Sequence, residues 1–329
     1  MRNILITGAN GFIGRNFISR YVKELKKDNI LLMVYSHGDK KDLKKFDKLG
    51  LKYKKIDLLD KKSLKVSLPF DLVIHFAANT DTSDRNQSAN NKGTKNLIEN
   101  LKINKRTHII YTSTTAVYAG RKNCSLPITD ATKPAPSNQY GRSKLITERY
   151  LKDKCAEKGS KLTILRLCTV YGKNTKKDGL FNIIKNDIRK GGLISRFDWP
   201  GLTSLVHVDD VADCVWLVSQ NPPRLYKPGE YLVYADSLTL SQISAEICRT
   251  KKIKFNEIKL PHFFWEIGSV SRPFIIFFEN ILPYTFYNML WRFSLITDHA
   301  LWCKSKKLNK RIPKWKPRKF DEGVYDVVS

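Results

Sequence analysis

The short apolar run Asn3–Thr7 enters Gly8-Ala9-Asn10-Gly11-Phe12-Ile13-Gly14, and a stretch with its apolar residues on one side continues to Leu25. A strand that ends in glycines and hands over to a helix leaves few folds open. The glycines permit a tight turn and let a pyrophosphate approach the helix N-terminus, where unpaired N–H groups and the helix dipole favour anions. Glycines also end ordinary strands, so the pattern carries weight only in its strand–turn–helix setting. In that setting Gly8, Gly11 and Gly14, spaced G-x-x-G-x-x-G, predict a dinucleotide site.

Strand-like and helix-like runs alternate through the first two thirds of the chain, which predicts a parallel sheet with helices on both faces. Strands are expected at Ile30–Tyr35, Lys52–Asp57, Asp71–Ala77, Thr107–Thr112 and Lys161–Leu167. Helices are expected at Asn90–Lys102 and Ser137–Glu157, the second closed by Gly159 as a C-cap. The fold class is therefore α/β, a doubly wound parallel sheet with a smaller mixed α/β C-terminal lobe. The sheet domain is expected over 1–172, with 205–235 returning to it, and the substrate-side lobe over 173–329. No repeat of solenoid length is visible.

Charge is lopsided: 59 Lys+Arg against 31 Asp+Glu give +28, which favours polyanionic partners without naming one. Lysines scattered along the whole chain fit compositional drift equally well. Six cysteines show no C-x-x-C pair or metal spacing, which predicts a reducing compartment and no zinc site. The strand-like start leaves no room for a signal peptide, and the apolar region from Pro261 to Ile296 is interrupted by Glu266, Arg272, Glu279, Pro283 and Arg292. A cytoplasmic protein is expected, with peripheral contact at an anionic inner-membrane surface as an alternative left open by the charge.

Tyr140 and Lys144 stand four residues apart, about one helical turn, and so share a face. A free phenol titrates near pH ~10, and a neighbouring ammonium favours the phenolate. Such pairs also arise by chance. Taken with the glycine turn, they resemble the extended short-chain dehydrogenase/reductase family, the NAD(P)-dependent epimerase/dehydratase group, whose sheet is Rossmann-like. The matching segments are TGANGFIG, Asp57-Leu58, His75-Phe76-Ala77-Ala78, Asn90-Asn91-Lys92-Gly93-Thr94, Tyr111–Gly120, Tyr140-x-x-x-Lys144, Arg166–Gly172 and Leu205–Val211.

The resemblance implies a nicotinamide dinucleotide held by Gly8, Gly11, Phe12, Ile13, Gly14, Arg15, Asp57, Leu58, Phe76, Ala77, Ala78, Asn90, Tyr140 and Lys144. It makes Tyr140 the general acid/base, Lys144 the group that lowers its pKa and binds ribose, and Thr114 the hydroxyl that holds the reacting oxygen. Ser113 competes with Thr114, since a one-residue slip on a strand reverses the side chain. It also implies a homodimer. Dehydratases of this group carry an Asp-Glu pair where Thr115-Ala116 stand, so dehydration is not expected. Thr169 replaces an Asn that touches the substrate in many nucleotide-sugar enzymes. His75 and His207 are expected to be structural, and Asp209-Asp210 helix N-terminal charges rather than metal ligands.

Three functions remain open to the sequence. The first is a nucleotide-sugar 4-epimerase or 4-ketoreductase serving surface polysaccharide synthesis. The second, similar to the 3β-hydroxysteroid dehydrogenase branch, acts on a bulky apolar alcohol. The third is a non-catalytic cofactor-sensing or nucleic-acid-binding relative; the intact Tyr/Lys pair and the lack of nucleic-acid motifs count against it. NADP is expected over NAD, because Tyr35-Ser36-His37-Gly38 offers no carboxylate for the ribose while Arg15, Lys40 and Lys41 offer cations to a 2′-phosphate. The aromatics from Phe263 to Trp291 are expected to fill the core of the C-terminal lobe, with Trp315 and Pro317 as a packed closing segment. The alternative is an amphipathic element on an anionic membrane.

Overall fold

Ile4, Leu5 and Ile6 are wholly buried because β1 (Asn3–Thr7) is covered on both faces, the situation in which a strand reads as an unbroken apolar run. The computed structural model describes every residue except 36–39, 67, 176–178, 262, 300 and 329, with the side chains of 40, 41 and 267–269 also outside the description. Around β1 lie β2 (Asn29–Tyr35), β3 (Tyr53–Ile56), β4 (Leu72–His75), β5 (His108–Thr114) and β6 (Lys161–Leu167). With β9 (Gly229–Val233) they form a seven-stranded sheet in the order β3-β2-β1-β4-β5-β6-β9, every neighbouring pair parallel. The chain's progression reverses between β1 and β4. In sheets of this kind a ligand binds at that switch point, beyond the carboxyl ends of the strands.

Helices α1 (Phe12–Leu25), α2 (Lys40–Lys48), α3 (Ser88–Asn100) and α4 (Gln139–Lys158) connect the strands of the first half. Helix α4 stops at Gly159, whose φ of +63° places it in the left-handed region, as the sequence predicts. A second sheet of three strands places β8 (Thr203–His207) between β7 (Thr169–Tyr171), parallel, and β10 (Asp236–Leu238), antiparallel. Of the segment 205–235, α6 (Val208–Gln220) packs on α1, where Tyr21 and Trp216 stack at 4.7 Å. Strand β9 closes the large sheet, whereas β8 belongs to the small one.

The rest of the chain adds α5 (Leu180–Arg189), α7 (Leu240–Thr250), α8 (Phe263–Phe277), α9 (Tyr284–Thr297) and the short α10 (Lys307–Arg311), α11 (Phe320–Gly323) and α12 (Tyr325–Val328). Its C-terminal stretch folds back: Leu308, Ile312 and Trp315 join the core shared by β1, α1 and α6. Trp315 Nε1 donates to the Asp210 carbonyl at 2.8 Å. The aromatics of α8 and α9 depart from expectation. Trp265, Tyr287 and Trp291 are buried, but Phe263, Phe264, Phe274, Phe277 and Phe286 face outward. Each helix packs on the body through one face, and no described element covers the other. All six cysteines are free and buried.

Trp315→Ala removes a large buried side chain and orphans a bonded carbonyl. Chemical denaturation is expected to show a loss of about 3–5 kcal/mol. A loss below about 1 kcal/mol would mean the C-terminal stretch is not packed as described.

Candidate active site

Gly8 has φ +65°, and a Cβ there would stand 2.6 Å from the Ala77 nitrogen, so β1 and β4 can meet at their ends only around a glycine. A Cβ on Gly14 would run into the Gly8 carbonyl. Helix α1 therefore starts tight against the turn, with Phe12 and Ile13 in its first turn. Gly11 caps it without a side-chain hydrogen bond, and no acidic residue lies in that turn. The exposed N–H groups and the dipole thus meet no competing anion, which fits a pyrophosphate. Arg15, one residue past Gly14, is 3.4 Å from Asp42 Oδ2. Residues 36–39 and the side chains of Lys40 and Lys41, to which the cofactor choice also appealed, lie outside the described residues.

Further along the crevice, Phe76 packs against Phe17 at 5.6 Å, and the Ala77 nitrogen donates to Thr7 Oγ1 at 3.3 Å; Ala78 follows, half-buried. Asp57 accepts from the Leu59 nitrogen at 2.9 Å. Leu58 is buried beneath α3, where a Cβ on Gly93 would stand 2.7 Å from Leu58 Cβ. Asn90 lies in the first turn of α3. It is buried with every polar group committed: Nδ2 donates to Asn79 O, Gln87 Oε1 and Ser143 Oγ, and Oδ1 accepts from the Asn79 nitrogen at 2.7 Å. Asn90 ties the loop after β4 to α3 and α4.

Thr94 completes that motif. It gives its proton to the Asn90 carbonyl, so it accepts from His75 Nε2 at 2.8 Å, and His75 Nδ1 accepts from Thr7 Oγ1 at 2.6 Å. Burial, and secondarily the Lys144 charge, push His75 down to about 3, so it is a neutral structural link between β1, β4 and α3. His207 is structural in another way. Its Nδ1 caps α6 by accepting from the Asp209 nitrogen, and its Nε2 lies 3.0 Å from Asp326 Oδ2. His207, Asp209 and Asp326 converge, yet Arg20 and Arg318 already bring cations to Asp209 at 3.8 and 3.9 Å.

At the other side of the crevice, Asn138 caps α4 by accepting from the Gly141 nitrogen at 2.8 Å. Gly141 lets the helix start close to the turn after β5; a Cβ there would be 2.6 Å from the Ala116 carbonyl. Tyr140 is thereby set beside Thr114, near enough for that hydroxyl to favour its phenolate. Ser113 points the other way and donates to Glu148 Oε1 at 2.5 Å. Lys144, one turn on from Tyr140, is 2% exposed. Its ammonium donates to the Thr112 carbonyl at 2.6 Å and lies 4.3 Å from the centre of the Tyr111 ring.

Burial pushes Tyr140 up to about 12, and the group that pulls it back is Thr114, not Lys144. The Lys144 ammonium is turned to Thr112, and burial brings it down to about 7 against the opposing pull of Glu148. The sequence reading also passed over Glu148 and Arg166. Glu148 is fully buried, bound by Ser113 and by Arg166, which reaches Tyr118 OH at 2.7 Å and Glu230 at 2.7 Å. The i, i+4, i+8 spacing of Tyr140, Lys144 and Glu148 was the available signal.

A sequence model described as the NAD dependent epimerase/dehydratase family matches residues 4–233. The chain belongs to that family. Among curated relatives of this epimerase/dehydratase chain is the N-acetyl-α-D-glucosaminyl-diphospho-ditrans,octacis-undecaprenol 4-epimerase of Escherichia coli O157:H7. It is 26% identical over 268 residues, spanning 79% of this chain and 76% of that one. Among solved structures, the NAD complex of UDP-glucose 4-epimerase from Thermus thermophilus superposes with a TM-score of 0.71 at 19% identity, covering 99% of this chain and 97% of that one. The dTDP-glucose 4,6-dehydratase of Bacillus anthracis str. Ames, also with NAD, gives 0.72 at 17% identity, covering 100% and 96%. Both confirm the Rossmann-like fold.

Lys144→Met supplies a stability test. The unfolded chain holds this proton up to 10.5 whereas the folded chain releases it near 7, so the penalty is full below pH 7 and fades as pH rises from 7 to 10.5. The variant is expected to be more stable than wild type by about 1–3 kcal/mol at pH 6, in protein without added dinucleotide, with a smaller gain at pH 9. Denaturant titration checks it; a variant less stable at pH 6 would contradict the burial argument.

Proposed function

We propose that the chain is a nicotinamide-dinucleotide-dependent sugar 4-epimerase or 4-ketoreductase whose sugar is carried on a diphosphate, a nucleotide sugar first among the candidates. The observation that carries the reading is the facing pair of hydroxyls, Thr114 and Tyr140, one helical turn from the buried Lys144 ammonium. The E. coli relative's action at C4 of a diphosphate-linked sugar supports it, as do the two NAD-bound neighbours.

Interconverting an alcohol and a ketone moves a hydride at carbon and a proton at oxygen; the bound nicotinamide accepts or gives the hydride. Thr114 holds the reacting oxygen against Tyr140, and Tyr140 gives or takes its proton. With the phenol at about 12, Tyr140 is protonated at neutral pH, the form that donates when a ketone is reduced. In the opposite direction it needs added positive charge nearby, which Lys144, one helical turn away, supplies in its protonated form. Gly8, Gly11, Gly14 and the first turn of α1 hold the pyrophosphate, and Asp57 and Leu58 stand at the adenine end.

Dehydration needs a further acid and base beside the tyrosine. Thr115 and Ala116 are buried and offer neither, and Tyr140 is influenced by the Thr114 hydroxyl and by no described carboxylate. We therefore assign hydride transfer without elimination.

A panel of nucleotide sugars, read by NMR for the C4 epimer and by absorbance for net oxidation of reduced cofactor, tests the reading. Turnover of neither kind on any sugar diphosphate contradicts it. Tyr140→Phe is expected to lower kcat by about 10²–10⁴ with cofactor binding retained. More than about half of wild-type kcat would remove Tyr140 from this role.

Cofactor choice turns on Arg15, which Asp42 partly neutralises. Releasing it by Asp42→Asn is expected to raise NADP affinity relative to NAD by up to about fivefold in calorimetry. An unchanged ratio would mean that Arg15 does not read the 2′-phosphate.

A further inference from the structure

The hairpin of α8 and α9, with the turn that joins them, exposes much of its apolar surface and buries two of its four charged residues. Phe263, Phe264, Phe274, Phe277, Ile281 and Met289 are 57, 47, 64, 71, 65 and 56% exposed, while Arg272 and Glu279 are each only 5% exposed; Glu266 and Arg292 stay exposed. The two buried charges are paired against the body: Glu279 with Arg142 of α4, and Arg272 with Asp298 at 2.8 Å. A helix facing water places its charges outward and its aromatics inward. This arrangement suits an element whose outer side meets hydrocarbon.

We propose that the outer face of the α8–α9 hairpin docks on an anionic phospholipid bilayer. Charge selects that occupant. The stretch leading into α8 carries Lys251, Lys252, Lys254 and Lys259, all exposed, on a chain of net charge +28. A second copy would bring the same charge to the face, whereas an anionic leaflet neutralises it. Among the described residues no helix is long and apolar enough to cross a membrane, so the hairpin lies on the surface.

The inner face of the hairpin is fastened to the active-site segment. The Tyr287 hydroxyl donates to the Ser137 carbonyl, and Trp291 Nε1 donates to Ser137 Oγ at 2.8 Å, three residues before Tyr140. Docking therefore fixes the Tyr140 region relative to the headgroup layer.

Sedimentation of the purified full chain with vesicles of phosphatidylglycerol and phosphatidylcholine tests the proposal. Wild type is expected to co-sediment at low ionic strength and to be partly released by salt. The triple variant Phe274→Ser, Phe277→Ser, Ile281→Ser is expected to bind at least about tenfold more weakly with an unchanged thermal midpoint and oligomeric state. Because those side chains are exposed, folding does not depend on them. Phe277→Trp adds a reporter: its difference emission should shift to the blue on vesicle addition. Wild type that fails to bind, a triple variant that binds as tightly as wild type, an unshifted reporter, or a variant that instead dissociates a dimer would each overturn docking on lipid. Vesicle binding needs no catalysis, so turnover of a soluble nucleotide sugar, measured in parallel, reports separately on the proposed function.

Discussion

The Lys144 ammonium is held where almost no water reaches it, and the middle of the molecule is arranged around that charge. Burying an ion costs several kcal/mol unless its neighbours compensate. Here the compensation comes from the Thr112 carbonyl at the end of β5, the face of the Tyr111 ring, and Glu148 one turn along α4. Glu148 is itself buried and would be as costly alone. Ser113 and Arg166 bind it, and Arg166 continues to Tyr118 and Glu230. The network joins β5, α4, β6 and β9, so the strands that carry Thr114 and the helix that carries Tyr140 are locked in one register.

That rigidity has a chemical consequence. Lys144 is oriented toward the backbone, and desolvation of the half-buried Tyr140 phenol, offset only by the Thr114 hydroxyl, makes it resist ionising. A site built this way stays in its proton-donating form until more positive charge arrives. Under the proposed function, an oxidised nicotinamide ring would supply such charge, and ionisation of the tyrosine would then depend on loading of the site. Low local dielectric makes each added charge count for more than it would in water.

Much of this was legible in the chain. The β1 and α1 boundaries, β6, and the Gly159 cap follow from an apolar run, a glycine turn, a period near 3.6 and a left-handed glycine, all local signals. The Tyr140–Lys144 spacing was readable because the helix period puts both on one face; Thr114 was named through the family resemblance, and the strand period says only that Ser113 and Thr114 point to opposite sides. What escaped was non-local. The Asn90 amide is held by Asn79, Gln87 and Ser143, a set of partners completed only when α4 packs on α3. Glu148 and Arg166 are 18 residues apart and look like ordinary surface charges until β6 and α4 are packed. The Phe263–Trp291 aromatics read as core by composition, whereas the fold leaves Phe263, Phe264, Phe274, Phe277 and Phe286 exposed.

Whether Tyr140 stays neutral until a cation binds beside it is measured directly by a ¹³C NMR titration of the protein labelled at tyrosine Cζ, with the Tyr140 resonance assigned by Tyr140→Phe, with and without oxidised cofactor. The phenol is expected to titrate near 12 in the free protein and at distinctly lower pH when the oxidised dinucleotide is bound. A Tyr140 already ionised at neutral pH in the free protein, or a titration that oxidised cofactor leaves unmoved, would contradict that expectation.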